Sequence, residues 1–444
     1  MVILNNIKKL ERRNYNFFQI YNTKLFQGFI ATLLGSGTSK IVLVIATFVC
    51  SNMLGKMEFG ELSFVRNTLN MILCICALNF SALCTKFTTE AKTSVVSLHR
   101  LFLLFAFSFT ACIVAGLLLT FSSEEILLKF LSTTIVVKFF RIAGVLLPLF
   151  MLQPLIEGVL VGLKKFKLIG ILQTLSSLFY LAVVSIGIVT GGLNGALIGV
   201  MLYYALYSVV SLLILYRKIN IKNNISKLSG FWGEKRSMLT MIMPIFLMSF
   251  IDAPVMWIAQ VILSKTGTME SIGSMTAMMQ IRNLAMLIPG YFSNTYLAFA
   301  GELNSQKRFA DYYRQLRKIL RIYILVGFGM FLVFSLFSKH ILFLYGSDFV
   351  EDWPVMVVSN IGIPLTMLIG LFRMDLLLKD HQQYLLYISL AWNTVWLISL
   401  YVMIAFNMNP LFSFFLSQTI GAIVFLTGLY IVYSRDKRTK LYEQ

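Results

Sequence analysis

The chain has 444 residues, 58% hydrophobic and 13% charged, with a mean hydropathy of +0.80. A soluble domain of this length cannot bury so much apolar surface, so the composition excludes a soluble globular protein and indicates a polytopic membrane protein. The formal charge of +19 invites a nucleic-acid partner, but the placement of the basic residues removes that reading.

Residues 1–26 mix Lys8, Lys9, Arg12, Arg13 and Lys24 with Phe17, Phe18, Ile20, Tyr21 and Phe26. They read as an amphipathic segment on the cytoplasmic leaflet, with no cleavable signal peptide. Windows of about 20 apolar residues then predict twelve spanning helices. The first six lie near 27–51, 62–86, 97–121, 142–163, 167–190 and 194–216. The second six lie near 237–263, 272–299, 319–338, 354–378, 382–406 and 410–434. Between spans three and four, Ser122 to Arg141 reads as an interfacial amphipathic helix. With the N-terminus inside, 28 of the 38 Lys and Arg fall in inner segments or the span ends bordering them, and six in outer segments. That bias puts both termini in the cytoplasm and explains the net charge without nucleic acid.

The basic stretch 217–236 divides the spans into an N-lobe (27–216) and a C-lobe (237–434), followed by a cytoplasmic tail (435–444). Two sets of six share one orientation, as parallel repeats do. Val65-Arg66-Asn67 in span two matches Ile281-Arg282-Asn283 in span eight. The expected fold is all-α, twelve transmembrane helices in two pseudo-symmetric six-helix lobes around a central cavity. Pro148 and Pro154 (span four), Pro244 and Pro254 (span seven), Pro289 (span eight) and Pro364 (span ten) mark kinks. Cys50, Cys74, Cys76, Cys84 and Cys112 have no metal-ligand spacing and read as small core residues.

Ionisable residues inside spans are costly, so they face a partner or a wet cavity. Here they are Lys40, Arg66, Arg282 and Arg373, with Glu157, Asp252 and Asp375. Arg373 and Asp375 lie near the inner end of span ten, where snorkelling competes with function. Asp252 is placed to pair with Lys40 or Arg282, or to carry a coupling proton or sodium ion; Glu157 and Asp375 are further acids for coupling or charge pairing. Two lobes that each turn an arginine inward build a cationic cavity, suited to an anionic cargo. The short outer loops hold no catalytic or metal constellation, which disfavours an enzyme.

Local motifs add a resemblance. Span one contains Gly35-Ser36-Gly37-Thr38-Ser39 and leads into Met53-Leu54-Gly55-Lys56-Met57-Glu58-Phe59-Gly60-Glu61. Gly158-Val159-Leu160-Val161-Gly162-Leu163-Lys164-Lys165-Phe166 and Gly191-Gly192-Leu193-Asn194-Gly195-Ala196 mark later helix ends. With twelve spans in six plus six, the chain resembles O-antigen and related lipid-linked oligosaccharide flippases. These are polysaccharide exporters of the multidrug/oligosaccharidyl-lipid/polysaccharide (MOP) superfamily. The resemblance implies a MATE-like V shape whose cavity opens alternately to each side. It also implies a monomer carrying an undecaprenyl-pyrophosphate-linked repeat unit, with membrane lipids, polysaccharide polymerase and chain-length machinery as partners. No cofactor is implied beyond a coupling H+ or Na+. In that reading Lys40, Arg66, Arg282 and Arg373 meet the pyrophosphate, because guanidinium and ammonium groups suit phosphate oxygens. Asn67, Asn70, Gln260 and Asn283 are the sugar contacts. The alternatives are a cation-coupled multidrug exporter of the same superfamily and, from another class, a membrane-embedded glycosyltransferase or polymerase.

Overall fold

The computed structural model describes residues 24–77, 80–90, 95–125, 134–218, 235–287, 309–378 and 382–442. The amphipathic segment expected over 1–26 and Pro289 therefore lie outside the described residues, except for the start of the first helix. The described chain is helical almost throughout. In order, it runs α1 (Lys24–Cys76), α2 (Ser81–Glu90), α3 (Val95–Phe121), α4 (Thr134–Phe150), α5 (Leu152–Gly162) and α6 (Phe166–Lys218). The second half runs α7 (Lys235–Thr266), α8 (Met269–Ala285), α9 (Phe309–Leu336), α10 (Ser338–Phe343), a 3-10 turn (Ser347–Asp352), α11 (Trp353–Leu378), α12 (Gln382–Ala405) and α13 (Pro410–Tyr442).

Eight stretches of the described residues are long and apolar enough to cross a membrane. Two of them hold two spans each. α1 turns at Gly55, whose φ of 75° lies where only a residue without a Cβ sits freely. α6 turns at Gly191 and Gly192, the latter with φ of 56°. Gly187 and Gly195 then let the two arms of α6 meet backbone to backbone; a Cβ on either would collide with the carbonyl of the other. α7 and α8 occupy the places of expected spans seven and eight, although 288–299 of the latter lies outside the described residues, so the described helices are compatible with twelve spans.

Two spans depart from the expected continuous rods. The second arm of α1 ends at Cys76 and resumes as α2, with the Ala77 N–H still bonded to the Leu73 carbonyl (2.8 Å) and that of Phe80 to the Ala77 carbonyl (3.0 Å). Span four is broken at Met151 between α4 and α5. Pro154 has no N–H to offer the carbonyl four residues back, which is Phe150, the last residue of α4. α4 begins at Thr134 rather than 142, so 134–141 is continuous with span four instead of belonging to a separate interfacial helix.

The glycine motif at the end of span four works by close approach. Gly158 and Gly162 are one turn apart on α5 and face α2. A Cβ on Gly158 would strike the Ser81 carbonyl, and one on Gly162 would stand 2.7 Å from the Thr85 carbonyl. The gap so closed lets Thr85 Oγ1 donate to the Gly158 carbonyl at 2.9 Å. The chain then leaves α5 through Lys164, with φ of 58°, as the Lys165 N–H caps the Leu160 carbonyl at 3.0 Å.

Helices of each half pack mainly among themselves: α1 on α6, α3 on α4 and α2 on α5, then α12 on α13, with α11 on α9 and α13. The halves meet chiefly where α1 lies against α7 and α8. None of the five cysteines is in a disulfide, and four are buried in the core of the first half. Replacing Gly158 with Ala should therefore lower the thermal midpoint of the detergent-purified protein, by the equivalent of about 1–3 kcal/mol of overpacking. Gly329→Ala, at a helical position with nothing within 4 Å, should leave it unchanged or raise it.

Candidate functional site

Three helix faces enclose a cavity of about 260 Å³ between the halves. The second arm of α1 contributes Arg66, Asn67, Asn70, Met71 and Cys74. α7 contributes Ala253, Met256, Trp257 and Gln260, and α8 contributes Thr276, Met279, Gln280 and Asn283. Each set follows the spacing of three and four that puts side chains on one helical face. A neighbouring cavity of about 330 Å³ shares Gln280 and Asn283, and adds Lys40, Leu43 and Val44 from the first arm of α1 with Leu284 and Met286 from α8. Two cations and five carboxamides line this joint space, and among the described residues no carboxylate does.

Arg66 is held from behind: its Nη1 donates to the Tyr180 hydroxyl at 3.5 Å. Tyr204 donates to Asn70 Oδ1 at 3.0 Å, fixing that amide toward the cavity. Tyr180 and Tyr204 each pack on Tyr203, with ring centroids 5.1 Å apart in both pairs. Deeper in the first half, Glu157 accepts from the Tyr207 hydroxyl and from Gln173 Nε2 (3.4 Å). Lys40 is exposed to its cavity.

The other expected residues lie elsewhere. Arg282 turns into the second half, where Nη1 donates to Gln418 Oε1 at 2.6 Å. Its guanidinium fills the space beside Gly362, so that a Cβ there would stand 2.6 Å from Nη2. It lines neither cavity. The reason is helical phase: Asn283 continues the Thr276–Gln280 face, and residue 282 sits about 100° around the helix from it. Arg373 is partly buried on α11 and lines neither cavity; Asp375, fully buried, accepts from the Tyr312 hydroxyl. Asp252 pairs with neither Lys40 nor Arg282 but accepts from Asn393 Nδ2 at 2.8 Å, joining α7 to α12. Of the four cations expected at the anion, the structure brings Lys40 and Arg66 to the cavities and places Arg282 and Arg373 apart. All four expected amides, Asn67, Asn70, Gln260 and Asn283, line the space. Trp257, Thr276 and Gln280 were not expected; their signal was spacing, Trp257 one turn from Gln260, and Gln280 and Thr276 one and two turns from Asn283.

On one side the cavities are sealed. Lys56, just after the Gly55 turn, bonds Asp352 at 2.7 Å and donates to the Asp348 carbonyl at 3.1 Å. Ser274 donates to the same Asp352 carboxylate. Asn52 Nδ2 donates to the Leu344 carbonyl at 2.7 Å, and Phe59 packs on Tyr345 and Phe349. Here Gly60 touches the Met269 carbonyl and Gly273 the Lys56 carbonyl, contacts a Cβ on either glycine would forbid. The cavities lie on the other side of this seal, toward the basic turn at Lys164 and Lys165.

The described helices thus form a multi-pass bundle with a polar cavity between its two halves. The model for the family described as polysaccharide biosynthesis protein matches residues 25–296, more than half of the chain, and the chain belongs to that family. No curated protein matches the chain. Among solved structures, the chain is similar to one described as the inward-facing conformation of a multidrug resistance MATE family transporter of the MOP superfamily. The TM-score is 0.77 at 13% identity, covering 91% of this chain and 96% of that one. An outward-facing conformation described in the same words scores 0.64 at 14% identity, covering 94% and 95%. A MOP superfamily transporter from Pyrococcus furiosus, described as having a binding pocket of reverse polarity that suggests a different function, scores 0.67 at 13% identity, covering 93% and 95%.

Two outcomes are expected. Arg282→Met should lower the thermal midpoint of the purified protein well below that of Lys40→Met, since only the first strands a half-buried partner, Gln418. In a variant keeping Cys74 alone among the cysteines, Lys56→Ala or Asp352→Ala should speed labelling of Cys74 by a membrane-impermeant maleimide added from the sealed side, several-fold over the intact seal.

Proposed function

We propose that the protein is a flippase that carries a lipid-linked oligosaccharide repeat unit, joined to its polyprenyl tail by pyrophosphate, across the cytoplasmic membrane of a bacterium for surface polysaccharide synthesis. The observation that carries this reading is the charge of the space between the lobes: Lys40 and Arg66 with five carboxamides and, among the described residues, no carboxylate. A diphosphate cannot cross hydrocarbon unaided, and such a lining replaces its water with cations and N–H donors. A cationic drug would find no counter-charge there. The amides suit a glycan, whose hydroxyls both donate and accept. Membership of a polysaccharide biosynthesis family supports the same cargo.

The cycle is alternating access. With both termini cytoplasmic, the seal at Lys56 and Asp352 faces outward and the cavities face the inner leaflet, where the cargo is made. The higher likeness to an inward-facing transporter than to its outward-facing form supports this assignment of state. Cargo enters with its glycan and pyrophosphate in the polar space and its tail in the bilayer between the lobes. Closure on the inner side then requires the Lys56–Asp352 pair to part. Asp252, bridged to Asn393, is the coupling site for H+ or Na+. One charge crossing 100 mV supplies about 2.3 kcal/mol, roughly a fifty-fold bias between the two open states.

In a strain that accumulates lipid-linked repeat units on the inner leaflet, the wild-type chain should restore surface polysaccharide. Lys40→Ala and Arg66→Ala should fail at normal expression, while Arg66→Lys should retain part of the export. Restoration by both alanine variants, or dye efflux without surface polysaccharide, overturns the reading.

A further inference from the structure

One part of the cavity wall is polar, buried and unsatisfied. Gln260 on α7 and Thr276 on α8 are each only 4% exposed, yet both border the space between the lobes. Among the described residues, Gln260 Oε1 and Thr276 Oγ1 find no hydrogen-bond partner. Buried polar atoms in proteins are almost always paired, so two orphans on one cavity wall mark a place where a ligand or water completes the bonding. Beside them the wall is apolar: Met256 and Met279 contribute thioethers, and Trp257 an indole. That ring is oriented by an indole N–H donated to Thr68 Oγ1 at 2.9 Å, a bond that also links the two halves.

The ligand group that fits must offer hydrogen bonds to a carboxamide and a hydroxyl while setting a small apolar part against sulfur and indole. Water satisfies the first need and leaves the second idle. A lone sugar hydroxyl does the same. A metal ion would meet two neutral oxygens and, among the lining residues, no carboxylate, too few hard ligands to hold it. An acetamido group meets every term: its N–H donates to Gln260 Oε1, its carbonyl accepts from Thr276 Oγ1, and its methyl packs on the thioethers and the indole.

We propose that Gln260, Thr276, Trp257, Met256 and Met279 form a subsite that reads an acetamido substituent on the sugar entering the cavity beside the anion held by Arg66. This rests on the flippase reading and names the kind of sugar it prefers.

The test is calorimetric binding to the purified full-length protein in lipid nanodiscs, with N-acetylglucosamine 1-phosphate, glucose 1-phosphate and inorganic pyrophosphate as probes. The acetamido sugar phosphate should bind about tenfold more tightly than the plain one, the ratio expected from one hydrogen bond and a buried methyl. Gln260→Met and Thr276→Val should each cut that ratio; the second keeps side-chain shape, so loss of the preference is not loss of the fold. Pyrophosphate binding with equal affinity for the two sugar phosphates overturns the subsite and leaves the flippase reading standing. A preference unmoved by both variants also overturns it. Failure of all three probes to bind removes the anion site itself, and this subsite with it.

Discussion

A charged or polar group inside a membrane has to be paired or face water, because hydrocarbon offers it nothing. That constraint accounts for most of the ionisable residues described within the spans. Glu157 is closed in by Tyr207 and Gln173, Asp252 by Asn393, Asp375 by Tyr312 and Arg282 by Gln418. What remains open is concentrated between the halves, where Lys40, Arg66 and a group of amides line two neighbouring cavities that share Gln280 and Asn283. The cavity is thus defined as much by the pairings that remove other charges from contention as by the residues that line it.

Glycine supplies the complementary constraint, on how close the helices come. Two spans are folded from one helix at Gly55 and two more at Gly191 and Gly192. Gly158 and Gly162 seat α5 on α2, and Gly60 and Gly273 bring the two halves into backbone contact at the sealed end. These contacts are steric and short-ranged, so each is fully made or fully lost. A seal built of backbone contacts and one ion pair is therefore suited to switching between discrete positions rather than loosening by degrees.

The architecture was legible in the sequence because it is written in long apolar runs and in the distribution of lysine and arginine, both insensitive to exact geometry. Helix breaks were legible only where chemistry announces them: Pro154 explains Met151, whereas no glycine or proline marks the turn after Cys76. The site was half legible. Its amides were found because polar residues in apolar helices stand out. Arg282 was assigned to the cavity because charge was weighed before phase; its own face of α8, with Ser274, Met278 and Ala285, is the buried one. Thr276, Gln280 and Trp257 were overlooked because they are ordinary residue types whose meaning comes from lying one turn from an asparagine or a glutamine. The seal partners Lys56 and Asp352 are nearly three hundred positions apart, and no local pattern joins them.

The repeated dipeptide carries a consequence of its own. In both halves the arginine reaches back to its own bundle, to Tyr180 in one and Gln418 in the other, while the asparagine beside it looks across the gap. Asn67 and Asn283 thus stand on opposite banks, like the two jaws of a caliper. A molecule gripped by both ties the banks together, so its size sets how far they can draw in. On the proposed function, an empty protein and a loaded one would rest at different widths, and the cargo itself would become part of the hinge.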